Sequence, residues 1–241
     1  MKKKTIVIVC IILAVVLGAG GFTAYHFLAP KKRHEPDLRK APVPVTVDVE
    51  PVLLAESLEE AASLKAGLTE KDTKTAMLFG QSYPAKVLQS NETYKDSTGI
   101  MLPTMRWTEY YDANGAVLYT YIIRQEQQVV FDADGKIVFS SDGYTPDANY
   151  EAEPMRWFYK DGKVALGEMS VYSGEDNGCT YYSADGHLLG ARTEYPTVDK
   201  DGSVQVELLY FDGSFVQIEK DAFDALIPPV DVPAFLQINW E

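Results

Sequence analysis

The chain repeats one short motif: an aromatic residue, a polar stretch, Asn-Gly or Asp-Gly, and then aliphatic residues. The clear copies occupy residues 111–117, 131–137 and 182–188, and looser copies end at Gly162, Gly202 and Gly213. Asn-Gly and Asp-Gly readily adopt the positive φ angles that tight hairpin turns require. Each copy therefore predicts two antiparallel strands joined by a turn.

When these turns are taken as strand boundaries, the sequence predicts ten strands. They are residues 105–111, 116–124, 128–132, 136–141, 155–160, 163–173, 179–183, 187–195, 203–210 and 214–220. Residues 117–123 are apolar on both faces, which indicates burial on two sides. The predicted fold class is mainly β, an antiparallel meander that forms a curled sheet, a sandwich or a barrel.

The tight turns follow the odd-numbered predicted strands, so they should all lie at one end of the meander. The opposite end then receives the longer connections, at 125–128, 142–154, 174–178 and 196–202. Longer loops on a rigid scaffold commonly carry recognition. We therefore expect the working surface at that opposite end.

Residues 56–104 form a predicted helical and irregular lead-in to the repeat domain, which spans 105–241. Ser57 and Glu60 make a capping box, and Gly67 suits the C-terminal cap of a short helix. A second helical stretch is predicted from Thr69 to Phe79.

The N-terminus predicts a membrane anchor. A basic tail (1–4) precedes the uncharged run 5–28, which as a helix would span about 36 Å and so cross a bilayer core of about 30 Å. A cleaved signal peptide is the alternative.

Residues 29–55 are proline-rich and predict a semi-rigid stalk. We place the C-terminal domain outside the cytoplasm, since a short tail with three lysines is hard to translocate.

The charge distribution excludes one class of partner. The formal net charge is −13, but residues 41–241 alone hold 14 basic and 33 acidic residues, a net of −19. A body this acidic repels nucleic acid.

No catalytic constellation or cofactor motif is present. Cys179 and His187 are the cysteine and histidine of the repeat domain, but the turn at Gly186 pairs Cys179 with Arg192 and keeps the two residues more than about 15 Å apart. This separation excludes a nucleophile dyad, and one cysteine with one histidine cannot form a zinc site. The acidic turns match turn chemistry better than calcium loops. We expect no catalytic residue, no metal site and no cofactor.

Aromatic content is the main functional signal. Twelve of the fifteen tyrosines lie at or after residue 101. Tyr144 and Tyr150, on the longest predicted loop, are the candidate binding residues, whereas Trp107 and Trp157 follow a repeated Met-Arg-Trp triplet and should fill equivalent core positions. The apolar, proline-broken tail from Phe223 should pack back over the sheet.

The hairpin motif resembles the YD-repeat hairpins of bacterial wall-associated and rearrangement-hotspot proteins, and the variant MORN-like repeats of small bacterial proteins. The resemblance covers residues 105–220 and is clearest at 111–117 and 131–137. It implies a structural or binding role and carries no catalytic residue. The function expected is that of a membrane-anchored binding or scaffolding protein of the bacterial envelope, with wall polysaccharide or an envelope protein as partner. A wall hydrolase that uses acidic residues and a subunit of an envelope assembly are the alternatives.

Overall fold

The computed structural model describes residues 44–71, 74–78, 81–96, 99–142, 155–173, 176–198 and 202–230, all within one compact unit, Pro36–Glu241. The predicted anchor, Tyr144 and Tyr150 and the last eleven residues lie outside the described residues. Within those ranges, no helix combines the length and the apolar character that crossing a membrane requires.

The helices are α1 (Leu58–Ala62) and α2 (Lys220–Leu226), with a 3₁₀ turn at Ser63–Lys65. The strands are β1 (Thr69–Glu70), β2 (Thr75–Leu78), β3 (Gln81–Gln89), β4 (Thr93–Lys95), β5 (Met101–Pro103), β6 (Met105–Tyr111), β7 (Val117–Arg124), β8 (Gln127–Asp132), β9 (Ile137–Ser141), β10 (Arg156–Lys160), β11 (Lys163–Ser173), β12 (Asp176–Ser183), β13 (Leu188–Val198), β14 (Val204–Asp212) and β15 (Gln217–Ile218). The first nine predicted strands correspond to β6 to β14, with every end within three residues.

The predicted meander is confirmed. Within the described residues, thirteen strands form one antiparallel sheet, in which β3 is followed by β6 and then by each strand in chain order to β15. β1 and β2 pair with β3, and β4 and β5 form a separate hairpin. The five tight turns, after β6, β8, β10, β12 and β14, therefore lie together at one end, which we call the turn end.

The opposite end differs in part from the prediction. The β7–β8 connection is a two-residue turn in which Gln125 has a φ of 54°. β11 ends at Ser173, as predicted, but β12 begins at Asp176, three residues before its predicted start. The predicted long loops at 125–128 and 174–178 are therefore wrong.

Three of the aspartates in the turns accept backbone hydrogen bonds. Asp112 Oδ1 accepts the N–H groups of Asn114 and Ala116, both at 2.8 Å, and Asp132 and Asp212 do the same in their own turns. The copy at Gly213 was misplaced by two residues: Phe215, with a φ of 59°, occupies the position that Gly115 holds in the first turn. Gly213 is instead required by a close approach, since a Cβ there would lie 2.5 Å from Leu188 O.

One face of the sheet, which we call the tryptophan face, carries the main apolar core. The register aligns Trp107, Ile122, Val129, Ser140 and Trp157 across neighbouring strands. Both tryptophans are buried, so the prediction that they fill equivalent core positions is confirmed.

The segment from residue 47 to residue 68 covers the tryptophan face. Ala55 and Ala61 are buried in this core, and Leu58 and Leu64 pack against it. The predicted cap of α1 is confirmed, since Glu60 N donates to Ser57 Oγ at 3.1 Å. Val47, Val49 and Leu53 of the predicted stalk (29–55) also pack against this core, so this part of the chain is not a free stalk.

The predicted second helix, from Thr69 to Phe79, is wrong. This segment forms β1 and β2, and Thr75 pairs with Pro84 of β3. Residues 69–75 contain no apolar side chain, so a helix here could not bury a continuous apolar face. Pairing with β3 satisfies the backbone instead.

The described part of the C-terminal segment, up to residue 230, packs on the other face, as predicted for the tail. α2 begins at Lys220, so the last predicted strand shrinks to β15, and Phe223 lies 5.6 Å from the ring of Tyr181 and 5.1 Å from that of Tyr210. Gly190 makes room for this contact, since a Cβ there would meet the Phe223 ring at 3.2 Å. We call this side the arginine face.

Candidate functional site on the arginine face

A row of polar and charged side chains crosses the arginine face. The cross-strand register aligns these residues, with Ile123 of β7 between the first two, and we call them the charged row: Arg106, Gln128, Ser141, Arg156, Glu168 and Tyr181. Arg106 and Arg156 are the central residues of the two Met-Arg-Trp triplets. Because successive side chains along a strand point to opposite faces of the sheet, each arginine lies on the face opposite to that of the tryptophan that follows it.

Arg156 and Glu168 form an ion pair within the charged row. Arg156 Nη1 lies 2.8 Å from Glu168 Oε1, and the glutamate side chain is 0% exposed while the arginine is 22% exposed. The guanidinium also lies 5.5 Å from the ring centre of Phe139 and 5.7 Å from that of Phe158. The carboxylate of Glu168 is therefore buried among apolar side chains, and its ion pair with Arg156 compensates for the loss of water.

Cys179 lies beside the charged row and is not an activated thiol. It pairs with Arg192 across the β12–β13 hairpin, as the turn predicted. Burial, followed by the nearby Glu168, raises the pKa of the Cys179 thiol, so the less nucleophilic protonated form is favoured. His187 lies in the turn itself, with its side chain 68% exposed and 3.3 Å from Asp185. This arrangement agrees with the exclusion of a Cys-His dyad.

The half-buried carboxylate of the tryptophan face, Glu109, is held by three donors. Lys65 Nζ lies at 2.5 Å, the Tyr111 hydroxyl at 2.7 Å and Trp107 Nε1 at 3.1 Å. Burial alone would raise the pKa of Glu109, but these hydrogen bonds outweigh it and the pKa lies below its ordinary value. Glu109 and Glu168 lie on opposite faces of the sheet, so they cannot act on one glycosidic bond as a catalytic carboxylate pair.

No metal cluster is found among the described residues, and the groove beside α1 does not resemble a sugar-binding site. No three of the described histidine, cysteine, aspartate and glutamate residues are grouped so as to hold a metal ion. An open groove of about 470 Å³ lies between α1 and the β8–β9 turn, and Glu59 and Asp134 contribute to its lining. The lining contains no aromatic ring, so it lacks the flat apolar surface on which a sugar ring packs.

The sequence-based binding residues, Tyr144 and Tyr150, lie outside the described residues, and their role stays a prediction. The charged row was missed, although the repeated Met-Arg-Trp triplet contained a signal for it. Two arginines at equivalent strand positions, each flanked by core residues, must share the face opposite the tryptophans.

Comparison with known proteins adds no functional information. No family model matches the chain. No curated protein matches it either. One solved structure, a protein of unknown function from Bacteroides fragilis NCTC 9343, is similar over 58% of this chain and 88% of that chain, with 11% identity and a TM-score of 0.11. A similarity this low supports no conclusion about fold or function.

The buried tyrosines predict a loss of stability at alkaline pH. Burial raises the pKa of Tyr110 from 10.0 to about 12, and it also raises the pKa values of Tyr121 and Tyr181. Between pH 10 and pH 12 the tyrosine hydroxyls of the unfolded chain release protons that the buried hydroxyls of the folded chain keep. The stabilisation is therefore complete below about pH 10 and is lost as the pH rises through the folded pKa. Urea unfolding from about pH 8 to pH 11.5 should show this fall, and Tyr110→Phe should make it shallower. Stability that stays constant to pH 11.5 would contradict the assignment.

Proposed function

We propose that the chain is a membrane-anchored, extracytoplasmic protein that binds or scaffolds components of the bacterial cell envelope without catalysis. This proposal rests on one observation: the buried and half-buried carboxylates and the turn aspartates take part in contacts that stabilise the fold. Glu109 and Glu168 are engaged in ion pairs on opposite faces, and the turn aspartates bind backbone N–H groups. Binding to another molecule would therefore use the outer surface of the domain.

The anchor and the location are supported by the uncharged run 5–28 and by the acidic body. A helix through residues 5–28 would hold the domain at the membrane, and the proline-rich residues after it would separate the two. Protease treatment of intact cells whose outer layers have been opened tests this location. Digestion of the domain from outside supports the proposal, and full protection contradicts it.

Binding to wall polymer is tested with the full chain in lipid nanodiscs and purified peptidoglycan. We expect the chain to be retained, and the double variant Tyr144→Ala/Tyr150→Ala to weaken retention about tenfold or more, an effect of about 1.4 kcal/mol. Tyr94→Ala, in the β4–β5 hairpin, is the matched control and should bind as the unmodified chain does.

Each other outcome of this experiment counts against the proposal. Soluble fragments that accumulate with time would indicate hydrolysis and contradict a non-catalytic role. An absence of retention would remove wall polymer as the ligand, and equal retention of the double variant would remove Tyr144 and Tyr150 as binding residues.

A further inference from the structure

The two edges of the sheet are protected differently. At one edge, β1 and β2 pair with β3, and Lys71 N and Ala85 N add backbone hydrogen bonds between them at 2.9 and 3.1 Å. At the other edge, β15 pairs with β14 only at Tyr210 and Phe211. Within the described residues, no strand pairs with the outer side of β14 from Val204 to Leu209. We call this stretch the open edge.

The backbone groups that point away from β13 can be assigned from the short pairing with β15. Asp212 N donates to Val216 O at 3.0 Å, and Tyr210 pairs with Ile218 in the same register. Because outward and inward groups alternate along a strand, the even-numbered residues of β14 direct N–H and C=O to the outside. In the open edge these are Val204, Val206 and Leu208.

The side chains of this edge are unusually apolar for an exposed position. Val204 is 66% exposed and Val206 is 60% exposed. Edge strands are normally guarded by charged side chains, most often lysine, by proline or by a bulge, since an unguarded edge accepts another strand. The stretch from Val204 to Leu209 has no lysine, proline or bulge, and its one charged side chain is Glu207.

We propose that the open edge pairs with the open edge of a second copy of this chain, antiparallel about a two-fold axis at Val206. The sheets of the two copies then become continuous. This inference rests on the edge geometry and holds whether or not the envelope function above is correct.

The register follows from symmetry and charge. A two-fold axis normal to the sheet pairs residues of the same face. Val206 then meets Val206 of the second copy, Val204 meets Leu208, and Gln205 meets Glu207. All three outward residues are used, which gives about six backbone hydrogen bonds. Centring the axis on Glu207 would oppose two carboxylates, and centring it on Gln205 would leave Leu208 unused. The open edge is thus complementary to itself.

The first test measures the association of the full chain in detergent by light scattering over a range of concentrations. We expect a monomer–dimer equilibrium that Val206→Lys weakens at least tenfold, because the two introduced ammonium groups would face each other. Val216→Lys is the matched control, since Val216 is 58% exposed but lies at the turn end. It should leave the equilibrium unchanged, and both variants should keep the melting temperature.

The second test is disulfide trapping in a Cys10→Ser/Cys179→Ser background. Hydrogen-bonded residues of antiparallel strands have Cα atoms about 5.5 Å apart, a separation that a disulfide spans. Val206→Cys should therefore cross-link two chains under mild oxidation, and Val216→Cys should not.

Three results would overturn the proposal. The first is a chain that stays monomeric at every concentration and leaves Val206→Cys uncrosslinked. The second is a dimer that Val206→Lys does not weaken. The third is a monomer that dimerises only after deletion of residues 231–241, which would show that the chain's own tail occupies the edge.

Discussion

Replacing Glu168 with alanine is expected to lower the free energy of unfolding by about 3–5 kcal/mol, since this is the usual effect of removing one partner of a buried ion pair. Glu168 is 0% exposed and its Oε1 lies 2.8 Å from Arg156 Nη1. Without the carboxylate, the Arg156 guanidinium stays between Phe139 and Phe158 with no charge partner at that distance. Urea unfolding at neutral pH measures the loss.

Two further variants separate charge pairing from simple packing. The double variant Arg156→Leu/Glu168→Leu removes both charges and should recover a large part of the lost stability, because paired buried charges are often replaced by apolar residues at little cost. Glu70→Ala breaks the ion pair between Glu70, which is 62% exposed, and Lys86, which is 41% exposed. This substitution should change the free energy of unfolding little. If Glu168→Ala and Glu70→Ala are equally mild, the buried pair does not hold the sheet together.

Replacing Gly186 with alanine is expected to destabilise the fold much more than replacing Gly115. Both glycines have left-handed φ angles, of +81° and +83°, so each substitution adds about 1–2 kcal/mol of backbone strain. A Cβ at Gly115 meets nothing within 4 Å, whereas one at Gly186 would lie 2.1 Å from Val47 O and 3.0 Å from Val49 Cγ2. The second substitution must therefore also displace the segment around Val47.

The measurement is amide hydrogen exchange combined with unfolding. Val47 N donates to Gly186 O at 2.9 Å, so Gly186→Ala should strongly reduce protection at Val47, and Gly115→Ala should leave it unchanged. Equal losses of stability in the two variants, with Val47 still protected, would show that residues 44–49 do not cross this turn.

The hairpins were predictable because turn chemistry is local. Gly115 and Gly135 provide left-handed positions that few other residues adopt at low cost, and a turn fixes the register of both strands beside it. This is why the pairing of Cys179 with Arg192 could be predicted from the turn at Gly186.

Features that depend on distant contacts were not predictable in the same way. Phe215 adopts the left-handed conformation because Asp212 accepts two N–H groups across its turn, and Gly213 beside it suggested a different position for that turn. The residues from Thr75 to Leu78 have fair helix propensity, but pairing with β3 overrides it.

The charged row is the part of the candidate site that sequence reasoning missed. Glu168 follows Gly167 in a strand whose neighbours are apolar, and nothing local indicates that its carboxylate is buried. Its partner, Arg156, is twelve residues away and becomes a neighbour only through the pairing of β10 with β11. The Met-Arg-Trp repeat fixed the face of the arginines, but the glutamate could be placed only once that pairing was known.

The strands form one continuous meander, and the β9–β10 junction tests this continuity most directly. These strands are not joined by a tight turn, so local chemistry does not enforce their pairing. The structure pairs Ser140 with Trp157 and Phe139 with Phe158. Nuclear Overhauser effects between the backbone protons of these two pairs are the predicted result. Their absence, in a protein that shows the corresponding contacts between β8 and β9, would mean that the sheet is divided at this point and would contradict the account.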